Sequence, residues 1–176
     1  LKPLKAHWIS HWMIMMPLIS SSVCEGGFSS ERKDFEALAG LVEAPAMEEA
    51  TGFDSSEDLK AIYFDGLDYK GKPTKVFAWL GMPEVKAGKA GKIPAKVPAM
   101  VLVHGGGGTA FKDWVQRWNK RGYAAISIAV EGQTDKRSED GESWRKHEWA
   151  GPSRVGIYGD AKEEFKDQWM YNAAAD

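Results

Sequence analysis

Apolar residues in this chain fall into short runs separated by Gly-, Pro- and Lys-rich punctuation. Ala61-Ile62-Tyr63-Phe64 and Val76-Phe77-Ala78-Trp79 are rich in β-branched and aromatic residues, with Tyr69-Lys70-Gly71-Lys72-Pro73 between them. Two strands over 59–69 and 75–80, joined as a β-hairpin, follow from that pattern. Residues 81–96 read as a linker. Pro98 to Val103 is continuously apolar, as expected of a strand buried on both faces. Four glycines come next. Residues 109–120 then read as a helix with Phe111, Trp114, Val115 and Trp118 on one stripe, ended by Arg121-Gly122, and 123–130 (YAAISIAV) as a second buried strand. Strand, glycine turn, helix and strand make a βαβ unit, which implies a parallel sheet.

The flanks are less regular. Residues 31–42 suit a short helix with Ser30 as its N-cap. Residues 131–164 read as a polar loop holding Trp144 and Trp149, a length that points to function when no secondary structure fills it. Near the other end Phe165, Trp169, Asn172 and Ala173 recur at helical spacing, with Met170 and Ala174 alongside. An amphipathic helix over 165–176 with no stop signal is predicted, and with it a chain that breaks off inside the helix.

The 176 residues suit one domain, and at 43% hydrophobic they exclude a wholly disordered chain. The formal charge is −2, so there is no general nucleic-acid signature. Yet charge is unevenly spread: 25–68 carry 12 acids against 3 bases, and 69–121 carry 11 bases against 2 acids. Blocks that offset one another on a solvated surface are the expectation. A single cysteine, Cys24, excludes an internal disulfide and a cysteine-based zinc site. His147, Glu148 and Asp160 are too few, at no defined spacing, to predict a metal site.

His104-Gly105-Gly106-Gly107-Gly108 carries the candidate chemistry. Glycines let the backbone fold tightly and aim several N–H groups at one point, so such a turn receives negative charge. Two identities of that charge fit. Gly105, Gly107 and Ala110 match the G-x-G-x-x-A pattern for a dinucleotide pyrophosphate, with Glu131 at the end of the next strand as the ribose acid. Alternatively, His-Gly-Gly-Gly after a third strand matches an esterase oxyanion loop. A third class, a tryptophan-rich carbohydrate-binding module, fits the buried βαβ pattern poorly.

The run PAMVLVHGGGGTAFKDWVQRWNKRGYAAISIAVEGQ resembles the α/β-hydrolases grouped with dienelactone hydrolases and acetyl xylan esterases, and His147-Glu148-Trp149-Ala150-Gly151-Pro152 and Asp167-Gln168-Trp169-Met170-Tyr171 look like the same group. The resemblance covers roughly 59–176 and is strongest over 98–133. It implies the N-terminal portion of an α/β-hydrolase three-layer sandwich, an antiparallel hairpin leading into a parallel sheet. It also implies a serine ester hydrolase acting on a small ester or acylated carbohydrate, with no cofactor and no metal. Gly106 and Gly107 would be the oxyanion N–H donors, His104 the support of their loop, and Glu131, Trp144 and Trp149 substrate contacts.

The sequence departs from that family at the nucleophile. No Gly-x-Ser-x-Gly occurs; Gly141-Glu142-Ser143 and Gly151-Pro152-Ser153 each lack the final glycine. In this fold the order is nucleophile, acid, histidine, so His7, His11, His104 and His147 all come too early to be the base. The expectation is a chain truncated before the nucleophile elbow, inactive by itself. Residues 1–24, with Lys2 and Lys5 before an apolar run, read as an export signal too interrupted for a membrane span, and so as a secreted or periplasmic protein. Cys24 after that run is a weak match to a lipid-attachment site. The division expected is 1–24 signal, 25–58 acidic segment and 59–176 partial hydrolase domain, in an oligomeric state left open.

Overall fold

The structure is a computed structural model that describes residues 25–84, 96–154 and 162–176, with the backbone alone for 25–30. The expected export signal with Cys24, most of the 81–96 linker and Asp160 lie outside the described residues. Among the described residues no helix is long and apolar enough to cross a membrane.

Five strands form one mixed sheet: β1 (Met47–Glu49), β2 (Leu59–Asp65), β3 (Lys75–Gly81), β4 (Ala99–Val103) and β5 (Ala124–Ala129), in the spatial order β1-β2-β3-β5-β4. The β2–β3 hairpin is antiparallel, with Ile62 opposite Ala78, and its reversal at Tyr69–Lys72 uses Lys70 and Gly71 at φ 51° and 74°. β5 then adds antiparallel to β3, and β4 parallel to β5. Between β4 and β5 runs α2 (Lys112–Asn119), giving the βαβ unit that the apolar runs predict.

Side-chain alternation along these strands builds two cores. Leu59, Ala61, Phe77, Trp79, Ala125 and Ala129 face one way and pack with Val115 of α2. Ile62, Phe64, Val76, Ala78, Ile128 and Val130 face the other way, against Trp169 and Ala173 of α3 (Trp169–Ala175). Helices therefore lie on both faces of a mixed sheet, an α/β arrangement. Val115 is fully buried and Trp118 packs on the first core, whereas Trp114 turns aside onto Phe111 at 4.7 Å.

Several expectations need correction. β4 is not buried on both faces. It is an edge strand of the sheet among the described residues, at the end opposite β1, and Val101 and Val103 are 65% and 54% exposed. The long polar loop contains a second hairpin, β6 (Gln133–Arg137) with β7 (Trp144–Lys146). The first helix, α1, is Glu25–Leu38, so Ser30 sits within it and is not its N-cap. The predicted C-terminal helix is split: a 3-10 turn, Phe165–Asp167, precedes α3, and Met170 is 63% exposed. α1 docks on this segment through Phe35, 4.9 Å from Phe165, and through Tyr171, whose hydroxyl donates to the Asp34 carbonyl at 3.0 Å. β1 and the buried Ala50 join the sheet from within the acidic segment.

α2 crosses β3 at Gly81. A Cβ there would lie 2.5 Å from Val115 Cγ1 and 2.3 Å from Asn119 Oδ1. Gly81→Ala should therefore force helix and sheet apart and cost about 1–3 kcal/mol, the range for overpacking. Urea unfolding measures this, and an unchanged midpoint would contradict the close approach.

Candidate active site

The chain leaves β4 at Val103 and turns immediately. Gly108 N–H donates to the Gly105 carbonyl at 3.0 Å, closing a four-glycine turn whose third residue, Gly107, has φ 77°. Only glycine adopts that conformation without strain. The predicted helix does not open directly from the glycines. Thr109, Ala110 and Phe111 intervene, because the Thr109 hydroxyl donates to the Thr134 carbonyl at 2.9 Å and Phe111 N–H donates to Ser127 Oγ at 3.0 Å. α2 thus begins at Lys112, set back from the turn.

Beneath the turn lies the buried imidazole of His104. Its Nε2 accepts the Val130 N–H at 3.2 Å, so the proton belongs on Nδ1, which donates to the Gly105 carbonyl at 2.7 Å. Gln133 Nε2 lies 3.2 Å from the same Nε2 and donates to the Gly108 carbonyl at 2.8 Å, while its Oε1 accepts the Glu131 N–H at 2.9 Å. With the Gly105 carbonyl held inward, the trans peptide turns the Gly106 N–H outward. Among the described residues neither Gly106 nor Gly107 N–H donates a hydrogen bond.

A cleft of about 300 Å³ opens beside the turn, lined by Gly107, Gly108, Glu131, Gln133, Trp144 and Lys146 among others. Trp144 reaches it from β7, donating Nε1–H to the Gly107 carbonyl at 2.9 Å, with the Arg137 guanidinium 3.6 Å over its ring. Glu131 is half-buried, and its Oε1 is shielded from solvent with no hydrogen bond in the structure. Lys146 is bonded to the Ser153 hydroxyl, which also donates to the Glu131 carbonyl at 3.1 Å.

Glu131 and Trp144 therefore meet Gly107 in one cleft, with His104 beneath the same turn and the Arg154 guanidinium beside Gly106. Trp149 does not join them. It stands edge-on to Tyr63 at 5.4 Å in a different cleft, so the two tryptophans do not form a shared platform. His147 lies with Trp149. Both its ring nitrogens are buried with no hydrogen-bond partner among the described residues, and burial, aided by the Lys146 charge, pushes its pKa down to about 4. Among the described residues no three His, Cys, Asp or Glu side chains are placed to hold a metal ion. Gln133 and Arg137 were not foreseen. Their partners are set by the second hairpin, whose polar sequence carries no strand signal.

No family model matches the chain, and no curated protein matches it. Among solved structures the chain is similar to an acetyl xylan esterase from Paenibacillus sp. R4, at 17% identity and a TM-score of 0.46. The likeness covers 85% of this chain and 43% of that one, so the chain spans less than half of that protein's length.

The buried His147 makes stability depend on pH. Its folded pKa of about 4 lies below the ordinary 6.5, so the unfolded chain binds the proton more tightly. The folded state should lose stability as pH falls from about 6.5 to about 4, and gain nothing further above that window. His147→Gln should flatten the stability curve there, as read from urea midpoints at stepped pH. An unchanged slope would contradict a buried, neutral imidazole.

Proposed function

We propose that the Gly105–Gly108 turn is the oxyanion-binding element of a serine ester hydrolase, with Gly106 and Gly107 as the N–H donors. The substrate class is a small ester or acylated carbohydrate. One observation carries this reading: His104 holds the Gly105 carbonyl inward, which leaves the Gly106 N–H outward on an exposed turn and, like the Gly107 N–H beside it, unpaired among the described residues. Unpaired donors fixed before substrate arrives need no reorganisation during the reaction. As a serine oxygen adds to the ester carbonyl, the carbonyl oxygen gains negative charge and draws hydrogen bonds from those amides. One such donor is worth about 3–4 kcal/mol in the transition state. Trp144 and Glu131 would contact the remainder of the substrate in the adjoining cleft.

In this reading the 176 residues supply oxyanion binding alone, because Gly-x-Ser-x-Gly does not occur among them. Ser153 is bonded to Lys146 and to the Glu131 carbonyl, and Ser143 to Ser138, neither on a strand-to-helix turn. The chain should thus hydrolyse p-nitrophenyl acetate no faster than buffer. Turnover that disappears in Ser143→Ala or Ser153→Ala would overturn that assignment.

The donors themselves can be tested by NMR with acetate as the probe. The Gly106 and Gly107 amide protons should move saturably downfield on titration, and the Gly105 amide should not. Gly106→Pro removes one donor at a turn position that proline suits; its Cβ displaces only the flexible tip of Arg154. That variant should weaken acetate binding at least threefold. His104→Phe, which removes one of the two hydrogen bonds that hold the Gly105 carbonyl, should weaken it too. Gly106 and Gly107 amides indifferent to acetate would overturn the reading.

A further inference from the structure

A second cleft, of about 270 Å³, lies on the far side of the β6–β7 hairpin from the glycine turn. Its wall is aromatic: Tyr63 of β2 stands edge-on to both His147 at 5.1 Å and Trp149 at 5.4 Å, and Phe53 completes the lining. Its rim is cationic, with Lys136, Arg145 and Lys146 against a single carboxylate, Glu148. Adjacent residues of a strand point to opposite faces, so Trp144 serves the first cleft and Arg145 the second.

An aromatic cleft with one carboxylate has the lining that suits a cationic ligand, but the chain's own lysines take that role. The Lys75 ammonium sits 5.0 Å from the Trp149 ring centre and the Lys136 ammonium 4.3 Å from that of Phe53. A further cation would meet four: Lys75 and Lys136, already seated on the rings, and Arg145 and Lys146 beside them on the rim. Lys136 is also committed to the Gly52 carbonyl at 2.6 Å, and Lys146 to Ser153. Arg145 is different: its backbone carbonyl is fixed by the Thr134 hydroxyl at 3.1 Å, and its guanidinium bonds to no described residue. A planar fork of five donors suits a carboxylate. The rings of the wall carry no charge themselves: His147 stays neutral down to about pH 4, and burial, together with the negative charges of Glu148, Asp135 and Glu48, raises the Tyr63 phenol above its ordinary pKa. The volume suits one ring rather than a chain of them.

We infer that this cleft is a binding site for a small aromatic carboxylate, its ring packed among Tyr63, His147 and Trp149 and its carboxylate paired with Arg145. Aromatic rings prefer edge-to-face contacts, such as Tyr63 already makes with His147 and with Trp149. A sugar acid would bring several hydroxyls to a wall that is mostly carbon. The site is separate from the glycine turn and does not depend on ester hydrolysis.

The probe is 4-fluorobenzoate, followed by its 19F signal in the presence of the chain, with benzoate, benzamide and cyclohexanecarboxylate as competitors. Saturable binding in the low millimolar range is expected. Benzoate should compete, while benzamide, which lacks the charge, and cyclohexanecarboxylate, which lacks the aromatic ring, should each compete at least fivefold more weakly. Arg145→Gln, a surface substitution, should weaken 4-fluorobenzoate at least fivefold, with Arg145→Lys in between. It should leave the response of the Gly106 amide to acetate as it was. Absence of saturable binding, equal competition by benzamide or cyclohexanecarboxylate, or undiminished binding by Arg145→Gln would each overturn the assignment.

Discussion

The neutral imidazole of His104 donates to the Gly105 carbonyl and accepts from the Val130 amide. One ring thereby fixes the end of β4, the first peptide of the glycine turn and the end of β5. Gln133 extends the network to the Gly108 carbonyl and the Glu131 amide, so β6 begins from the same point. The ring does this only in the Nδ1–H tautomer, since a second proton on Nε2 would face the Val130 N–H. Removing the ring would strand the buried Val130 N–H, a loss of about 1–3 kcal/mol, and would leave the Gly105 carbonyl to the Gly108 N–H alone. The orientation of the Gly106 amide, and with it the chemistry proposed for the turn, follows from this bond.

Around that point the sheet is held by ordinary means. Alternating side chains on β2, β3 and β5 feed two separate cores, and each core takes one helix. The β6–β7 hairpin is held differently, by polar bonds: the Thr109 hydroxyl reaches the Thr134 carbonyl, the Thr134 hydroxyl joins the two strands through the Arg145 carbonyl, and Trp144 reaches the Gly107 carbonyl. It thus divides the surface into two clefts of opposite character, one beside unpaired amides and one lined by rings and rimmed by cations.

Much of the sheet was legible in the sequence because its strands are marked locally. Ala61–Phe64, Val76–Trp79 and Ala125–Ala129 are β-branched, aromatic or small, and the glycines between two apolar runs give the parallel unit its turn. What was not legible depends on partners distant in sequence. Gln133–Arg137 reads QTDKR and becomes a strand only because β7 pairs with it. The apolar run of β4 looks like a central strand, yet topology puts it outermost, and no local property of Val101 or Val103 reveals that. Helix α2 starts late because Thr109 and Phe111 are bonded to Thr134 and Ser127, contacts that cross 25 and 16 residues. The separation of Trp144 from Trp149 follows from the end of β7 at Lys146, after which the chain turns toward Tyr63.

The position of β5 between β3 and β4 also constrains how the chain assembles as it is made. The β2–β3 hairpin can close from neighbouring residues, but β4 is synthesised before the strand it pairs with. The 20 residues from His104 to Tyr123 separate it from β5, a delay of roughly one to four seconds at ribosomal rates of about 5–20 residues per second. For that interval the free edge of β3 and the apolar β4 are both present, and each is a template for the wrong partner. β5 resolves the competition by inserting between them, and the right-handed crossover through α2 gives it one way to do so. The order of synthesis and the order of strands in space are therefore opposed at this one place, and sheet completion waits on Ala124–Ala129.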